Sequence, residues 1–197
     1  MRLLYYYPCK PNPLSLESKF LDILDKDPAW IAEIKKNGWR CLVYRESGVA
    51  LWTRHKTIIT EPLPALRDSL RAVPENTILD GELIYFRTAE HKGMLYLFDI
   101  IAYKGRLIDD LPLHERRKYL EEVSHNARSD SIEVAQQFRI GKKELFNRAI
   151  EADSVNEGIV LKKIHSNYLL SQKRCLQNPF WLKVKRIEKH VYVKEDR

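Results

Sequence analysis

The sequence predicts one α+β domain in which antiparallel strands dominate and helices are interspersed. Three observations carry this. Runs with strand periodicity outnumber helical stretches, no internal repeat or low-complexity linker divides the chain, and 197 residues suffice for a sizeable core. Hydrophobic residues make up 44% and charged residues 31%, with 7 Gly and 9 Pro. That composition excludes collagen-like, mucin-like and disordered chains. No run approaches 18 apolar residues, and Met1 to Tyr7 hold no long apolar stretch. Neither a membrane span nor a secretory leader is expected, which points to a soluble, intracellular chain without membrane partners.

Pro8, Pro11 and Pro13 punctuate the lead, after which Leu16, Phe20, Ile23 and Leu24 recur at helical spacing up to Asp27-Pro28. Trp30–Lys36 and Trp39–Arg45 read as strands, and the Asn37-Gly38 pair between them is the signature of a tight hairpin. Val49–Thr53 follows as a strand, with Thr57–Thr60 as its extension. Leu63, Leu66 and Leu70 mark a helix that Pro64 opens. Thr77–Arg87 and Met94–Ile101 read as paired strands around the polar loop Thr88–Gly93. Leu113–Ser124 is a charged helix whose apolar side carries Leu113, Leu120 and Val123. Strand Ile132–Ile140, helix Lys143–Ala152 and strands Gly158–Ile164 and Trp181–Val193 complete the reading.

The chain carries 34 basic and 27 acidic side chains, a formal +7. From Glu157 to Arg197, ten Lys and Arg face four acids. Such a local excess suits a polyanionic partner, and an ordinary basic surface would give it too. Cys9, Cys41 and Cys175 are too few and too scattered for a disulfide framework or a four-ligand metal site. They are expected to be free thiols.

The stretch Glu33-Ile34-Lys35-Lys36-Asn37-Gly38-Trp39-Arg40 carries the chemistry. On a strand, Glu33 and Lys35 share one face and Ala32 and Ile34 the other. An amine attacks phosphorus only when neutral, which neighbouring cations or burial favour. In the last strand Lys183 and Lys185 alternate with Leu182 and Val184, so two cations share a face. Lys35 to Arg40 resembles the Lys-x-Asp-Gly-x-Arg signature of the covalent nucleotidyltransferases. These comprise ATP-dependent DNA ligases, RNA ligases and mRNA capping enzymes. Leu79-Asp80-Gly81-Glu82-Leu83, Leu97-Phe98-Asp99-Ile100, Glu157-Gly158-Ile159-Val160-Leu161-Lys162 and Trp181-Leu182-Lys183-Val184-Lys185 resemble further motifs, in the family's order. Trp52-Thr53-Arg54 and Leu79–Leu83 look more like polynucleotide ligases than capping enzymes.

The resemblance implies a nucleotidyltransferase (ATP-grasp-like) fold, with antiparallel sheets enclosing a nucleotide cleft. It implies that Lys35 attacks the α-phosphorus of ATP, expels pyrophosphate and holds AMP. Glu33 would lie near the adenine, and Phe98 would stack on it. Arg40 and Glu82 would contact the ribose, and Lys183 and Lys185 would neutralise the α-phosphate. Arg54 would contact the nucleotide and the 5′-phosphate being sealed, with Lys162 near the phosphates. Glu82 and Glu157 would help hold Mg²⁺ or Mn²⁺. The implied function is that of an ATP-dependent DNA ligase catalytic domain acting as a monomer on nicked double-stranded DNA. The alternatives are an RNA ligase, a GTP-dependent capping guanylyltransferase and a non-catalytic nucleic-acid-binding relative.

The chain departs from the pattern twice. Asn37 stands where the signature has Asp; it keeps a hydrogen-bonding oxygen and loses the charge. Ligases of the family carry an OB-fold after this domain, and only 12 residues follow Lys185. The domain is therefore expected to span residues 1–187. Residues 188–197 form a basic tail or the start of an OB-fold domain that a continuation or a partner protein supplies.

Overall fold

The computed structural model describes residues 4–60, 63–85, 93–127, 129–152 and 155–186. Its strands are β1 (Lys10–Pro13), β2 (Trp30–Lys36), β3 (Trp39–Arg45), β4 (Val49–Thr53), β5 (Thr77–Ile84), β6 (Met94–Tyr103), β7 (Arg106–Leu107), β8 (Ile132–Val134), β9 (Asn156–Lys163) and β10 (Gln177–Lys185). The helices are α1 (Lys19–Lys26), α2 (Pro64–Leu70), α3 (Leu113–Asn126) and α4 (Lys142–Ala152). One sheet has the order β1-β10-β9-β2; the other has β4-β3-β5-β6-β7, with β8 also paired to β6. This is the α+β architecture expected. Two pairings, β1 with β10 and β6 with β8, are parallel and enlarge the antiparallel expectation to mixed sheets.

Asn37-Gly38 does not close a hairpin. Lys36 ends a strand of the four-stranded sheet and Trp39 begins one in the six-stranded sheet, so the pair carries the chain from one sheet to the other. Its polar groups are taken up by that passage. The Asn37 N–H donates to the Val155 carbonyl at 2.7 Å, and the Gly38 N–H donates to Glu82 Oε1 at 3.1 Å. A Cβ on Gly38 would lie 2.5 Å from the Leu83 carbonyl oxygen, so close backbone approach demands glycine. Local turn chemistry is the same for both outcomes; the partner strands decide. Asp80-Gly81 likewise sits at a bulge within β5 and not in a turn.

The proline-rich lead forms edge strand β1, where the missing N–H groups of Pro11 and Pro13 do least harm. Thr57–Thr60 contributes only a bridge from Ile58 to Trp52. The run from Ile132 splits: β8 pairs with β6, and Phe138 then exchanges backbone hydrogen bonds with Ala32 of the other sheet. A segment serving both sheets cannot stay one straight strand. β5 ends at Ile84, short of Arg87, and residues 86–92 of the polar loop lie outside the described residues. The same holds for the C-terminal part of the run to Val193 and for the tail 188–197. β7 was not legible; the residues between it and β6, Lys104 and Gly105, have φ of 50° and 85°, as a primed hairpin turn requires.

Four layers result. α2 and α3 cover the six-stranded sheet through Leu66, Leu70, Leu120, Val123, Val43 and Leu97. α1 and α4 cover the four-stranded sheet through Leu21, Leu24, Phe146 and Leu161. Between the sheets, Leu42, Tyr44, Ile101, Tyr168 and Trp181 form a third cluster that closes one end of the space separating them. In α1 the buried pair is Leu21 and Leu24, while Phe20 and Ile23 stay exposed. Trp39 is 42% exposed and stacks on Tyr85. All three thiols are free.

The buried face of α3 includes a residue its apolar pattern omits. Arg116 is fully buried, donating to Asp99 at 2.8 and 2.9 Å and to the Leu111 and Ser166 carbonyls at 2.6 and 3.0 Å. Burial pushes the Asp99 carboxyl up, but Arg116 outweighs it and holds its pKa below the usual carboxylate range. This contribution to stability is present above the unfolded carboxyl value, about 3.9, and is lost as pH falls through the lower folded value. R116M leaves Asp99 buried and uncompensated and is expected to cost about 3–5 kcal/mol in urea unfolding at pH 7. The double variant D99N/R116M is expected to recover part of that loss.

Candidate active site

β9 lies between β2 and β10, and its register assembles the site. Gly158 is opposite Lys35 on one side and Lys185 on the other, while Val160 is opposite Glu33 and Lys183. Gly158 has φ of +145°, and a Cβ there would run into the Val184 carbonyl, so no other residue fits this close strand contact. Glu157, one residue earlier, meets lysines from both neighbours. One carboxylate oxygen contacts the Lys35 ammonium, and the other accepts from Lys185 at 2.7 Å. Burial pushes the Glu157 carboxyl up, but Lys35 and Lys185 outweigh it and keep it ionised to lower pH than usual.

Lys183 has no ion-pair partner among the described residues. Burial first, then the charges of Lys185 and Lys35, lowers its pKa, with Glu157 opposing. The neutral form of the Lys183 amine is thus favoured. The facing wall comes from the six-stranded sheet. Arg40 of β3 lies against Asp80 through two hydrogen bonds of 2.5 Å and donates to the Cys9 carbonyl at 3.2 Å. Tyr168 donates to the same Asp80 carboxylate at 2.5 Å. The guanidinium thus fixed lies 4.6 Å from the centre of the Phe98 ring.

Two adjoining hollows open between these walls. A wide cleft of about 640 Å³ is lined by Lys35, Arg40, Arg54, Glu82, Glu157, Lys183 and Lys185. A narrower one of about 70 Å³ is lined by Glu33, Phe98, Lys162 and Trp181, and shares Lys35, Arg40 and Glu82 with the first. All ten residues singled out in the sequence therefore line one hollow or the other. Lys162 lines the narrow hollow, whereas Lys183 and Lys185 line the wide one. It is buried, paired with Glu33 at 2.7 Å, and its ammonium lies 4.9 Å from the Phe98 ring centre and 4.5 Å from that of Trp181. This places it in the narrow hollow, against the two aromatic rings.

Sequence reasoning missed several members. Trp181, given no role of its own in the last-strand motif, lines the narrow hollow with Phe98. Gln137 donates to Glu33 Oε1 at 2.9 Å, from a segment read as plain strand. Lys10, His55 and Cys175 line the wide cleft. The Pro-Cys-Lys-Pro lead was the only hint of Lys10, since proline on both sides suits an edge strand. Among the described residues no three His, Cys, Asp or Glu side chains cluster as a metal centre, so Glu82 and Glu157 are the carboxylates the cleft offers.

Burial pushes the Glu82 carboxyl above its usual range, against the pull of Lys35, Arg40 and the Gly38 N–H. A raised carboxyl opposes folding once ionised. The penalty starts as pH rises past the unfolded value, about 4.3, and is complete above the folded one. E82Q keeps the acceptor for Gly38 and is expected to raise Tm at pH 7 by about 2–4 °C. The gain should vanish toward pH 4, as scanning calorimetry across pH would record.

The comparisons agree with this geometry. Residues 87–185, half of the chain, match the family model described as the ATP dependent DNA ligase domain. The SPbeta prophage-derived DNA ligase-like protein LigB of Bacillus subtilis is 29% identical over 178 residues, covering 80% of this chain and 62% of that protein. DNA ligase 2 of Methanosarcina acetivorans is 33% identical over 179 residues, covering 75% of this chain and 31% of that protein. The chain thus spans between about a third and two thirds of these relatives. Mycobacterial DNA ligase D, solved in complex with ATP and MES, shares the fold with a TM-score of 0.61 at 24% identity, over 80% of this chain and 54% of that one. A Lig E DNA ligase gives the same TM-score at 18% identity, over 90% and 69%. The match of the family model over half its length makes this chain a member of the ATP-dependent DNA ligase domain family.

Proposed function

We propose that the chain is the adenylating domain of an ATP-dependent DNA ligase, formed by residues 1–187. The observation that carries this reading is the convergence of Lys35, Lys183 and Lys185 around Glu157, beside a hollow walled by Phe98 and Trp181. The narrow hollow suits a purine, stacked on an aromatic ring and bounded by Glu33. The wide cleft suits its phosphates. The relatives' names point to DNA, and we take nicked double-stranded DNA as the substrate, with AMP passing from Lys35 to its 5′-phosphate. An OB-fold, on a continuation of the chain or a partner protein, would close over that complex.

In the first step the Lys35 amine, once deprotonated and released from Glu157, donates its lone pair to the α-phosphorus. The bond from that phosphorus to the bridging oxygen breaks, and its electron pair leaves with pyrophosphate. Lys183 and Lys185 offset the charge that gathers on the non-bridging oxygens. Arg40, held by Asp80 and Tyr168, and Glu82, held at Gly38, present a fixed donor and acceptor to the ribose. Two carboxylates fit Mg²⁺, which takes one or two from a protein and fills its remaining positions with phosphate oxygens and water. Glu82 and Glu157 would hold it, and its chemistry there is charge neutralisation on the phosphates.

Intact-mass spectrometry of protein incubated with ATP and Mg²⁺ is expected to show one added AMP on the wild type and none on K35A. K183A is expected to slow adduct formation by roughly 10²–10³-fold, the size of one lost oxyanion donor. GTP should give no adduct, and nicked DNA should discharge AMP faster than nicked RNA. A wild type that forms no adduct, either as purified or after ATP, would count against the reading.

A further inference from the structure

A short segment ties together the two walls of the narrow hollow. Val134 of β8 pairs with Leu97 of β6, and the Ala135 N–H donates to the Leu97 carbonyl at 2.8 Å, one residue before Phe98. Further on, Phe138 exchanges backbone hydrogen bonds of 2.8 and 2.9 Å with Ala32 of β2, one residue before Glu33. The segment thus joins the six-stranded sheet, which supplies Phe98, to the four-stranded sheet, which supplies Glu33. Gln137 stands between these two attachments. Its Nε2 donates to Glu33 Oε1 at 2.9 Å, and it is not among the residues that line the hollow.

The Glu33 carboxylate is divided between two neighbours. Lys162 meets Oε2 at 2.7 Å, and its ammonium also donates to the Phe98 carbonyl at 3.3 Å. Glu33 is only 2% exposed, so water offers little in place of either contact. A carboxylate only accepts, so the Gln137 amide must turn its NH2 group toward it. An ammonium has three donors and attracts both oxygens of a carboxylate. Gln137 opposes that collapse. It keeps Oε1 away from Lys162, with a lone pair left for a donor in the hollow. Because the segment is pinned at both ends, the amide is held there with little ordering cost.

We infer that Gln137 is a positioning residue that sets the base preference of the narrow hollow by fixing Glu33. The inference rests on the reading of that hollow as a purine site. A fixed carboxylate accepts from the exocyclic amine of a 6-aminopurine. A 6-oxopurine presents an oxygen at the same place, and two acceptors then face each other without a proton between them. With Gln137 gone, Glu33 can close both oxygens onto Lys162, and the 6-amino group loses its acceptor. Gln137 acts through Glu33 alone, so its loss falls on 6-aminopurines and spares 6-oxopurines.

Isothermal calorimetry with AMP and IMP, which carry an amine and an oxygen at purine C6, tests this without any need for turnover. The full chain is first treated with pyrophosphate, so that no AMP remains on Lys35. The wild type is expected to bind AMP about tenfold more tightly than IMP, a difference of about 1.4 kcal/mol. Q137M keeps the length and loses the donor; it should weaken AMP binding about tenfold and leave IMP within about twofold. Q137E brings a second carboxylate against Glu33 and should lose the preference too. Q136M, at the exposed neighbouring residue, is the control and should match the wild type. Equal weakening of both nucleotides in Q137M would mark a plain strut and overturn the inference, as would an undiminished preference. A wild type without any preference overturns it as well. Thermal unfolding of each variant checks that the fold is kept. A wild type that selects AMP through Gln137 but takes up no AMP from ATP keeps the inference and removes the adenylation reading. One that adds AMP to Lys35 while Q137M keeps its preference does the opposite.

Discussion

Glu157 is the point on which the site turns. It stands at the start of the one strand that pairs with both β2 and β10, and its two carboxylate oxygens meet a lysine from each. Remove that carboxylate and Lys35, Lys183 and Lys185 would face one another uncompensated. Gly158 makes the arrangement possible, because only a residue without Cβ tolerates its backbone angle and the Val184 carbonyl beside it. A constraint on backbone packing thereby sets the electrostatics of the cleft.

The same logic recurs deeper in the molecule. Arg40 with Asp80, Lys162 with Glu33, and Arg116 with Asp99 are ion pairs with at least one fully or almost fully buried member. Such pairs add little net stability compared with apolar packing, since desolvation offsets much of the attraction. Their effect is geometric. Asp80 and Tyr168 leave the Arg40 guanidinium one orientation, against Phe98. Gln137 and Lys162 occupy both oxygens of Glu33. Arg116 ties α3 to β6 and to the Ser166 carbonyl beyond β9, so it couples elements of both sheets. Lys142 does the same between helices, donating to the Asp25 and Asp27 carbonyls at the end of α1.

Much of the fold was legible because strand periodicity is local. β2, β3 and β4 have the bounds expected of them, and α2 begins at its proline. Lys35, Lys183 and Lys185 could be singled out because each sits in a short run whose alternation puts it on one face with other charges. Pairing was not legible. Asn37-Gly38 has the composition of a hairpin turn, but the chain uses it to change sheets, since Lys36 and Trp39 find their partners in β9 and β5. Gln137 and Lys10 escaped notice because neither lies in a motif; each matters through a contact with a residue more than 100 positions away or through a shared cleft.

The sequence by itself determined which side chains alternate to a common face, and so the cationic character of the cleft, while Phe98 was placed there only by the family resemblance. It determined the α+β class as well, since strand and helix periods are properties of neighbouring residues. Only the tertiary structure decided that Lys162 belongs with Glu33 and the aromatic rings, and that Lys10 belongs with the cations of the wide cleft. Burial and long-range register choose such partners, and neither is written in the spacing of a single strand.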